Sequence, residues 1–575
     1  MMKIRLRKYL KPYMRFVVLA PLMMVLEVAM DLTQPRLMAM VVNDGILGDA
    51  GLGFIVRTSL IMLGVAVIGM ITGFACTVFA MFAAQNYGAD LRSDLFKKVS
   101  SFSFAELDQF STGSLVTRLT NDGTQLQNMV LLALRAFVRA PLLCVGAIVM
   151  VLSISRTYGL VIAVVMPVIA LTAMFIYKKL APLFTQIQER LDGLNAIVQE
   201  NLSGVRVIKA FVRGEHEKSR FGVANEALKD TNLRAMFIMA AVLPLMMIVM
   251  NATVLAVIYI GGLQVQAAQM QVGDIMAALS YMTQVLFTFM IMSRIFVSIP
   301  RAKASGDRVR EVLAAEVSIT DGDAAVGSTG GDIVFNNVTF GYGGGEPVLK
   351  QISLHIKSGE HVGLLGSTGA GKSSLVHLIS RFYDVCDGQV LVDGVDVRDY
   401  PLDALRAKIG FVLQESVLFS GTIGENIRWG NPNADDAQVL QAAKSAQADE
   451  YITAKEDGYD TLLGQRGLTL SGGQKQRASI ARALLKDAEI LILDDSTSAL
   501  DLATESNLNA AINAEHAGKT RITIAQRISS VMNADRIYVL EHGEIAAFGT
   551  HEELLETCEI YQDIHRSQMG QGVAA

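Results

Sequence analysis

The stretch Gly366-Ser367-Thr368-Gly369-Ala370-Gly371-Lys372-Ser373, with Ser374 next to it, decides the reading of this sequence. It follows the apolar run HVGLL and opens the helical run SSLVHLIS, the strand-to-helix setting that a phosphate loop requires. Glycines let successive backbone amides curve around phosphate oxygens, and the start of the helix adds positive potential. Lys372 is placed to reach terminal phosphates, and the Ser373 hydroxyl to ligate Mg²⁺. Downstream, ILILDDS reads as a buried strand ending at Asp494, whose carboxylate can hold the same Mg²⁺ directly or through water, with Asp495 following at once.

Around this loop the sequence is α/β. From Asp332 onward, β-rich runs such as DIVFNNVTF, HVGLLG and EILILDD alternate with helical patterns, which predicts strands covered by helices over residues 332–567. The stretch Asp321–Gly331 is rich in Gly, Asp, Ser and Ala, so residues 311–331 form a linker, and residues 568–575 an unstructured tail.

Residues 1–310 are of another class. The chain has 575 residues, too many for one ordinary core. Its 51% hydrophobic content, mean hydropathy of +0.38 and only 18% charge point to a membrane protein. A net charge of −5 gives no basic footprint for nucleic acid. Cys76, Cys144, Cys386 and Cys558 lie far apart, without the spacing of a disulfide framework or a zinc site.

A helix crossing a hydrocarbon core of roughly 30 Å needs about 20 mostly apolar residues. Six stretches qualify, near 16–42, 58–84, 129–154, 158–180, 236–263 and 275–299. They lack the period-2 alternation of barrel strands, so they are expected to be helices. Lys3, Arg5, Arg7, Lys8, Lys11 and Arg15 hold the N-terminus inside, and the first apolar run, without a cleavage site, reads as a retained span. Asn43–Gly53 and Gly261–Asp274 carry no Lys or Arg and are expected outside, whereas the long charged segments Gln85–Asn128 and Lys178–Arg234 belong in the cytosol. Thr112–Gln127, with Arg118, Asn121 and Asp122 as polar handles, is the expected contact with the domain below the membrane. Within the spans, Glu27 and Asp31 lie one turn apart, as do Arg135 and Arg139, and Arg294 sits on the sixth; such groups face a cavity or one another. Gly69–Gly73 is a GxxxG pattern that favours close helix contact, and the 27 methionines suit ordinary packing or an adaptable pocket.

With Leu470-Ser471-Gly472-Gly473-Gln474 the chain resembles the ATP-binding cassette (ABC) family, whose signature it matches in full. The resemblance covers nearly the whole chain and is closest to exporters that fuse a six-helix membrane domain to one ATP-binding domain. It implies that Tyr342 of VTFGY stacks on adenine, that Gln414 of FVLQES senses the γ-phosphate and shares Mg²⁺ with Ser373 and Asp494, and that STSALD (Ser496–Asp501) bridges two such domains. Family members bind ATP between the phosphate loop of one domain and the signature of another. Ser471, Gly472, Gly473 and Gln474 therefore serve a partner's site, and a chain with one copy of each motif implies a dimer.

The departures from the family pattern carry information too. Asp495 stands where the family usually has a catalytic glutamate, and Gln526 of Ile524-Ala525-Gln526-Arg527 where it has a histidine; Gln465 replaces a frequent glutamate before the signature. An aspartate is one methylene short, a misplacement of roughly 1 Å can cost on the order of 10²-fold in rate, and glutamine is neither acid nor base. The expectation is a degenerate ATP site, paired in a heterodimer with a second half-transporter that carries the glutamate and the histidine. The transporter would lie in the cell (inner) membrane, with the N-terminus and the ATP-binding domain cytoplasmic. It would export hydrophobic or amphipathic cargo such as a drug, lipid or peptide. A siderophore-type importer on the exporter fold and an ATP-gated regulatory subunit are the alternatives.

Overall fold

The computed structural model describes residues 6–324, 330–464, 467 and 469–569, excepting the side chains of 173, 177, 243, 289–297 and 569. Lys3, Arg5 and Gln465 therefore lie outside the described residues, as does the Arg294 side chain. The chain divides into two compact units: Met1–Ser100 with Gly113–Ala314, and Ser101–Thr112 with Ala315–Ala575.

The first unit is helical. The long helices are α1 (Met14–Met40) and α2 (Gly51–Ser100), then, beyond the short α3 (Phe104–Gln109) of the second unit and α4 (Thr112–Thr117), α5 (Gly123–Ile154) and α6 (Arg156–Ser203). After a single turn, α7 (Val205–Ala210), come α8 (Gly214–Gln266) and α9 (Val272–Ala314). Each apolar stretch found in the sequence falls on one of the six, the first ending two residues into the wide turn Val41–Ile46. Among the described residues, five helical segments, all but α9, are long and apolar enough to cross a membrane. Many of their large apolar side chains, such as Leu60, Leu63 and Phe74 of α2, are exposed, as lipid-facing side chains are. Inside, Ala20, Met24, Cys76, Ala80 and Ala83 are fully buried where α1 meets α2. Gly73 leaves room there for Glu27, since a Cβ at that position would lie 2.9 Å from the Glu27 carboxyl carbon. The turn after α1 meets the start of α9: Asn43 Oδ1 accepts from the Gly273 amide at 2.6 Å.

Arg118 and Asp122 bond within the membrane unit. Asp122 is 2% exposed and accepts from Ser305 Oγ and Arg308 Nε, both at 2.8 Å, while Arg118 pairs with Glu311 at 2.9 Å. These bonds tie residues 113–127 to α9, in the membrane unit. The piece that joins the second unit lies earlier, at Ser101–Thr112. A capping box between Ser103 and Glu106 starts α3 there, Phe104 packs on Phe382 with ring centroids 4.6 Å apart, and Tyr383 donates to Asp108 at 2.8 Å.

In the second unit, β1 (Ile333–Phe340), β2 (Leu349–Ile356), β4 (Asp387–Val392) and β5 (Val395–Asp396) form an antiparallel sheet in the order β2-β1-β4-β5. Strands β3 (His361–Gly366), β6 (Ile409–Val412), β9 (Ile490–Asp494), β10 (Thr520–Ile524), β11 (Arg536–Glu541) and β12 (Glu544–Gly549) form a sheet in the order β12-β11-β3-β10-β9-β6. All neighbours in that sheet are parallel except β11 and β12. Two-residue strands β7 (Gly421–Thr422) and β8 (Leu462–Leu463) pair separately. Strands β9 and β10 are buried at every position, as central strands of a sheet covered on both faces are, although β10 carries Thr520, Arg521 and Thr523. Register sets Ile524 opposite both Leu364 and Asp494, so the carboxyl ends of β3, β9 and β10 meet at one edge.

Two boundaries differ from the sequence reading. Residues 311–314, assigned to the linker, continue α9, because Val309 and Val312 are fully buried on one face. Gln568 and Met569, assigned to the tail, end the helix Glu559–Met569, which the fully buried Tyr561 anchors.

Candidate functional site

The phosphate loop leaves β3 at Gly366 and ends in helix α10 (Lys372–Ile379). Gly366, Gly369 and Gly371 have φ of 153°, 86° and 96°, a range that disfavours other residues. At Gly371 a Cβ would also fall 2.7 Å from Leu349 Cδ2. Lys372 folds back over the loop, its ammonium donating to the Gly366 and Ser367 carbonyls at 2.8 Å each. Ser373 Oγ donates to Asp494 Oδ1 at 3.0 Å. A cavity of about 310 Å³ opens here, lined by Thr368, Gly369, Gly371, Lys372, Ser373, Ser374, Gln414, Asp494, Asp495 and Gln526, with Tyr342 on its wall. Ala370, buried beneath the loop, packs into the core rather than the cavity.

Tyr342 is held upright on that wall. Its hydroxyl lies 2.8 Å from Ser374 Oγ, and its ring meets Tyr383 edge-on at 5.1 Å. An aromatic ring thus stands beside the phosphate loop, on the wall of the same cavity. The Ser373 hydroxyl, the Asp494 carboxylate and the Gln414 amide are oxygen donors of the kind Mg²⁺ takes, so the residues present fit that ion.

Two of the three departures from the family pattern, Asp495 and Gln526, touch. Asp495 follows β9 in the left-handed region, φ 46°, with its amide donating to Ile524 O at 3.1 Å. Gln526 Nε2 donates to Asp495 Oδ2 at 2.8 Å. Burial pushes both carboxyls, Asp494 and Asp495, above the usual aspartate range; the bond from Ser373 opposes this at the first and that from Gln526 at the second. Burial also lowers the Lys372 ammonium, against the pull of the two aspartates.

Ser471 caps the helix Gly472–Leu485 through a capping box with Gln474, and Ser471 and Gly472 leave the start of this helix exposed. Behind it Gln476 bonds Ser498 Oγ at 3.4 Å and the Ala499 amide at 3.1 Å, and Ser498 in turn donates to the Asp495 carbonyl at 3.0 Å. The signature helix is thereby tied to the loop Ser496–Asp501, where Asp501 caps the next helix.

In the membrane unit Arg139 pairs with Glu27 and, at 2.9 Å, with Asp31, joining α5 to α1. Arg135, one turn away, is half-buried. Beside the triad a cavity of about 360 Å³ is lined by Glu27, Asp31, Met30, Met70, Gln34 and Gly69. A smaller apolar cavity, about 90 Å³, lies among Met246, Met247, Met250, Ile169 and Phe287. Sequence reasoning missed Gln568, which bonds the Gln526 carbonyl at 2.6 Å and accepts from the Ile528 amide at 2.8 Å. The apolar period of Ile560 and Ile564, four residues apart, was the available signal that the helix runs on to it.

Residues 17–289 match the model of the ABC transporter transmembrane region, and residues 349–498 that of the ABC transporter domain. The chain is 42% identical to the ABC transporter ATP-binding protein YfiB of Bacillus subtilis, over 98% of each chain. It is 34% identical to an ATP-dependent lipid A-core flippase of Syntrophus aciditrophicus, over 88% of this chain and 85% of the other. Among solved structures, a bacterial Atm1-family ABC exporter with ATP bound superposes with a TM-score of 0.79 at 27% identity, covering 97% of this chain and 99% of that one. A phosphate loop at the edge of a parallel sheet, a signature helix with an exposed start and a six-helix unit before them meet the same description, and the chain belongs to the ABC transporter family, as an exporter-type member that fuses its transmembrane and ATP-binding domains.

Proposed function

We propose that this chain is one half of a heterodimeric, ATP-driven exporter of hydrophobic or amphipathic compounds, and that its own site binds MgATP but hydrolyses it slowly. The observation that carries this reading is the bond from Gln526 Nε2 to Asp495 Oδ2. It occupies one oxygen of a carboxylate already a methylene short, and it does so with a neutral amide that cannot take part in proton transfer. What binding requires is kept. Tyr342 offers a face to adenine, Lys372 and the loop amides cradle the phosphates with Ser374 beside them, and Ser373, Asp494 and Gln414 would hold Mg²⁺. When bound, that ion neutralises phosphate charge.

The exposed start of the helix Gly472–Leu485, with Ser471 through Gln474, is available to complete an ATP site on another chain. A self-paired dimer would hold two weakened sites and no strong one. A partner with glutamate and histidine at the two altered positions supplies the fast site. The name of one relative, a lipid A-core flippase, supports amphipathic cargo.

The test is ATPase activity of the co-purified pair. Ser471→Arg in this chain is expected to abolish most turnover, because it blocks the partner's site, whereas Asp495→Asn has a modest effect. Loss of all turnover with Asp495→Asn, or a chain that pairs only with itself and hydrolyses ATP at full rate, would overturn the proposal.

A further inference from the structure

We infer that Gln568, in the last turn of the helix Glu559–Met569, is a positioning residue for the reaction at the phosphate-loop site, acting through Gln526. The inference rests on the proposed slow hydrolysis at this site, with Gln526, the group that stands in place of the histidine, orienting the Asp495 carboxylate through its one bond to it. One side-chain amide makes two bonds to the segment that follows β10: Gln568 Nε2 donates to the Gln526 carbonyl at 2.6 Å, and Gln568 Oε1 accepts from the Ile528 amide at 2.8 Å. The two backbone groups flank Arg527, so a single residue fixes the backbone on both sides of the turn from which Gln526 projects. The Gln526 side chain then reaches Asp495 Oδ2 at 2.8 Å.

Packing fixes the ends of this segment, where Ala525 and Ile528 are buried, but not its middle, where Gln526 and Arg527 are exposed. Gln526 and Thr368 line the nucleotide cavity on one side and, on the other, a second cavity of about 540 Å³ that extends to Ile560, Ile564 and Gln568. A thin wall with open space on both faces has few contacts to hold its side chains, and directed hydrogen bonds take over that task. The helix that carries Gln568 is itself well anchored. Tyr561 is fully buried, its hydroxyl 2.6 Å from His551 Nδ1, and it belongs to the same core as Ala525 and Ile528. Gln568 therefore transmits a fixed frame to Gln526 rather than following its motion.

The test uses the full-length chain as it assembles in lipid nanodiscs, photolabelled with 8-azido-ATP carrying the label on either the α- or the γ-phosphate. The α-label reads binding and loss of the γ-label reads hydrolysis, at this chain alone, whether its companion is a different chain or a second copy. Gln568→Ala is expected to slow γ-label loss roughly three- to tenfold, the worth of one net hydrogen bond, with unchanged half-saturation of the α-label. Gln526→Ala gives a similar loss, and the double variant is no slower than Gln526→Ala alone. Gln568→Glu keeps the acceptor for Ile528 but not the donor, and falls between; it carries the test where alanine loosens the helix. A fall in α-labelling that tracks the loss of hydrolysis, or effects of the two alanines that multiply, would reduce Gln568 to a structural tie. Unchanged hydrolysis in Gln526→Ala would instead remove the reading beneath the inference, and an unmodified chain that loses no γ-label would remove the reaction itself.

Discussion

Gln526 meets Asp495 through a bond that acts on the carboxylate in two opposite ways. It takes up one oxygen, and it favours the charged form against the burial that raises the group above the usual aspartate range. A carboxylate can accept a proton from water only when ionised. Removing the donor lets burial raise the Asp495 carboxyl further, so more alkaline solution is needed to ionise it. In Gln526→Ala the acidic limb of hydrolysis at this chain's site should therefore move to higher pH. The pH profile of γ-label loss in the two proteins checks the direction, and an unmoved limb would mean that Asp495 does not set it.

Helices α1 and α5 are held by one guanidinium between two carboxylates. Ionised groups are costly in hydrocarbon, and removing one member of a paired set leaves the rest uncompensated. Arg139→Met should accordingly destabilise the membrane unit, by about 1–2 kcal/mol because the Arg139 and Asp31 side chains are half-exposed. The triple change Glu27→Gln, Asp31→Asn and Arg139→Met should recover most of it, because no unpaired charge remains. Thermal melting in detergent, followed by size exclusion, measures both. Equal stability of the single variant and the parent would show that the triad does not clamp the helices. Transport by the triple variant tests whether the cavity beside these side chains contacts cargo.

Across the whole molecule, the turns Val41–Ile46 and Ala267–Gln271 should face outward and the turn near Gly214 the cytosol. In a background freed of Cys76, Cys144, Cys386 and Cys558, single cysteines at the exposed positions Asp49 and Gln269 should react with an impermeant thiol reagent in intact cells, and one at Ser219 should not. The reverse pattern would invert the topology. The long helices were legible in the sequence because lipid forces each apolar stretch to satisfy its own backbone, which leaves one solution per stretch. The phosphate loop was legible for a related reason: its glycines, Lys372 and Ser373 act within eight consecutive residues, so spacing alone fixes their geometry. Pairings between distant residues were not. That Arg139 answers Glu27 and Asp31, that Asp122 belongs to α9 while Asp108 meets Tyr383, and that Gln568 holds the turn beside Gln526 depends on which helices and loops become neighbours. Those contacts join residues 40 or more positions apart, where neither periodicity nor composition specifies a partner, and only the packed tertiary structure selects one.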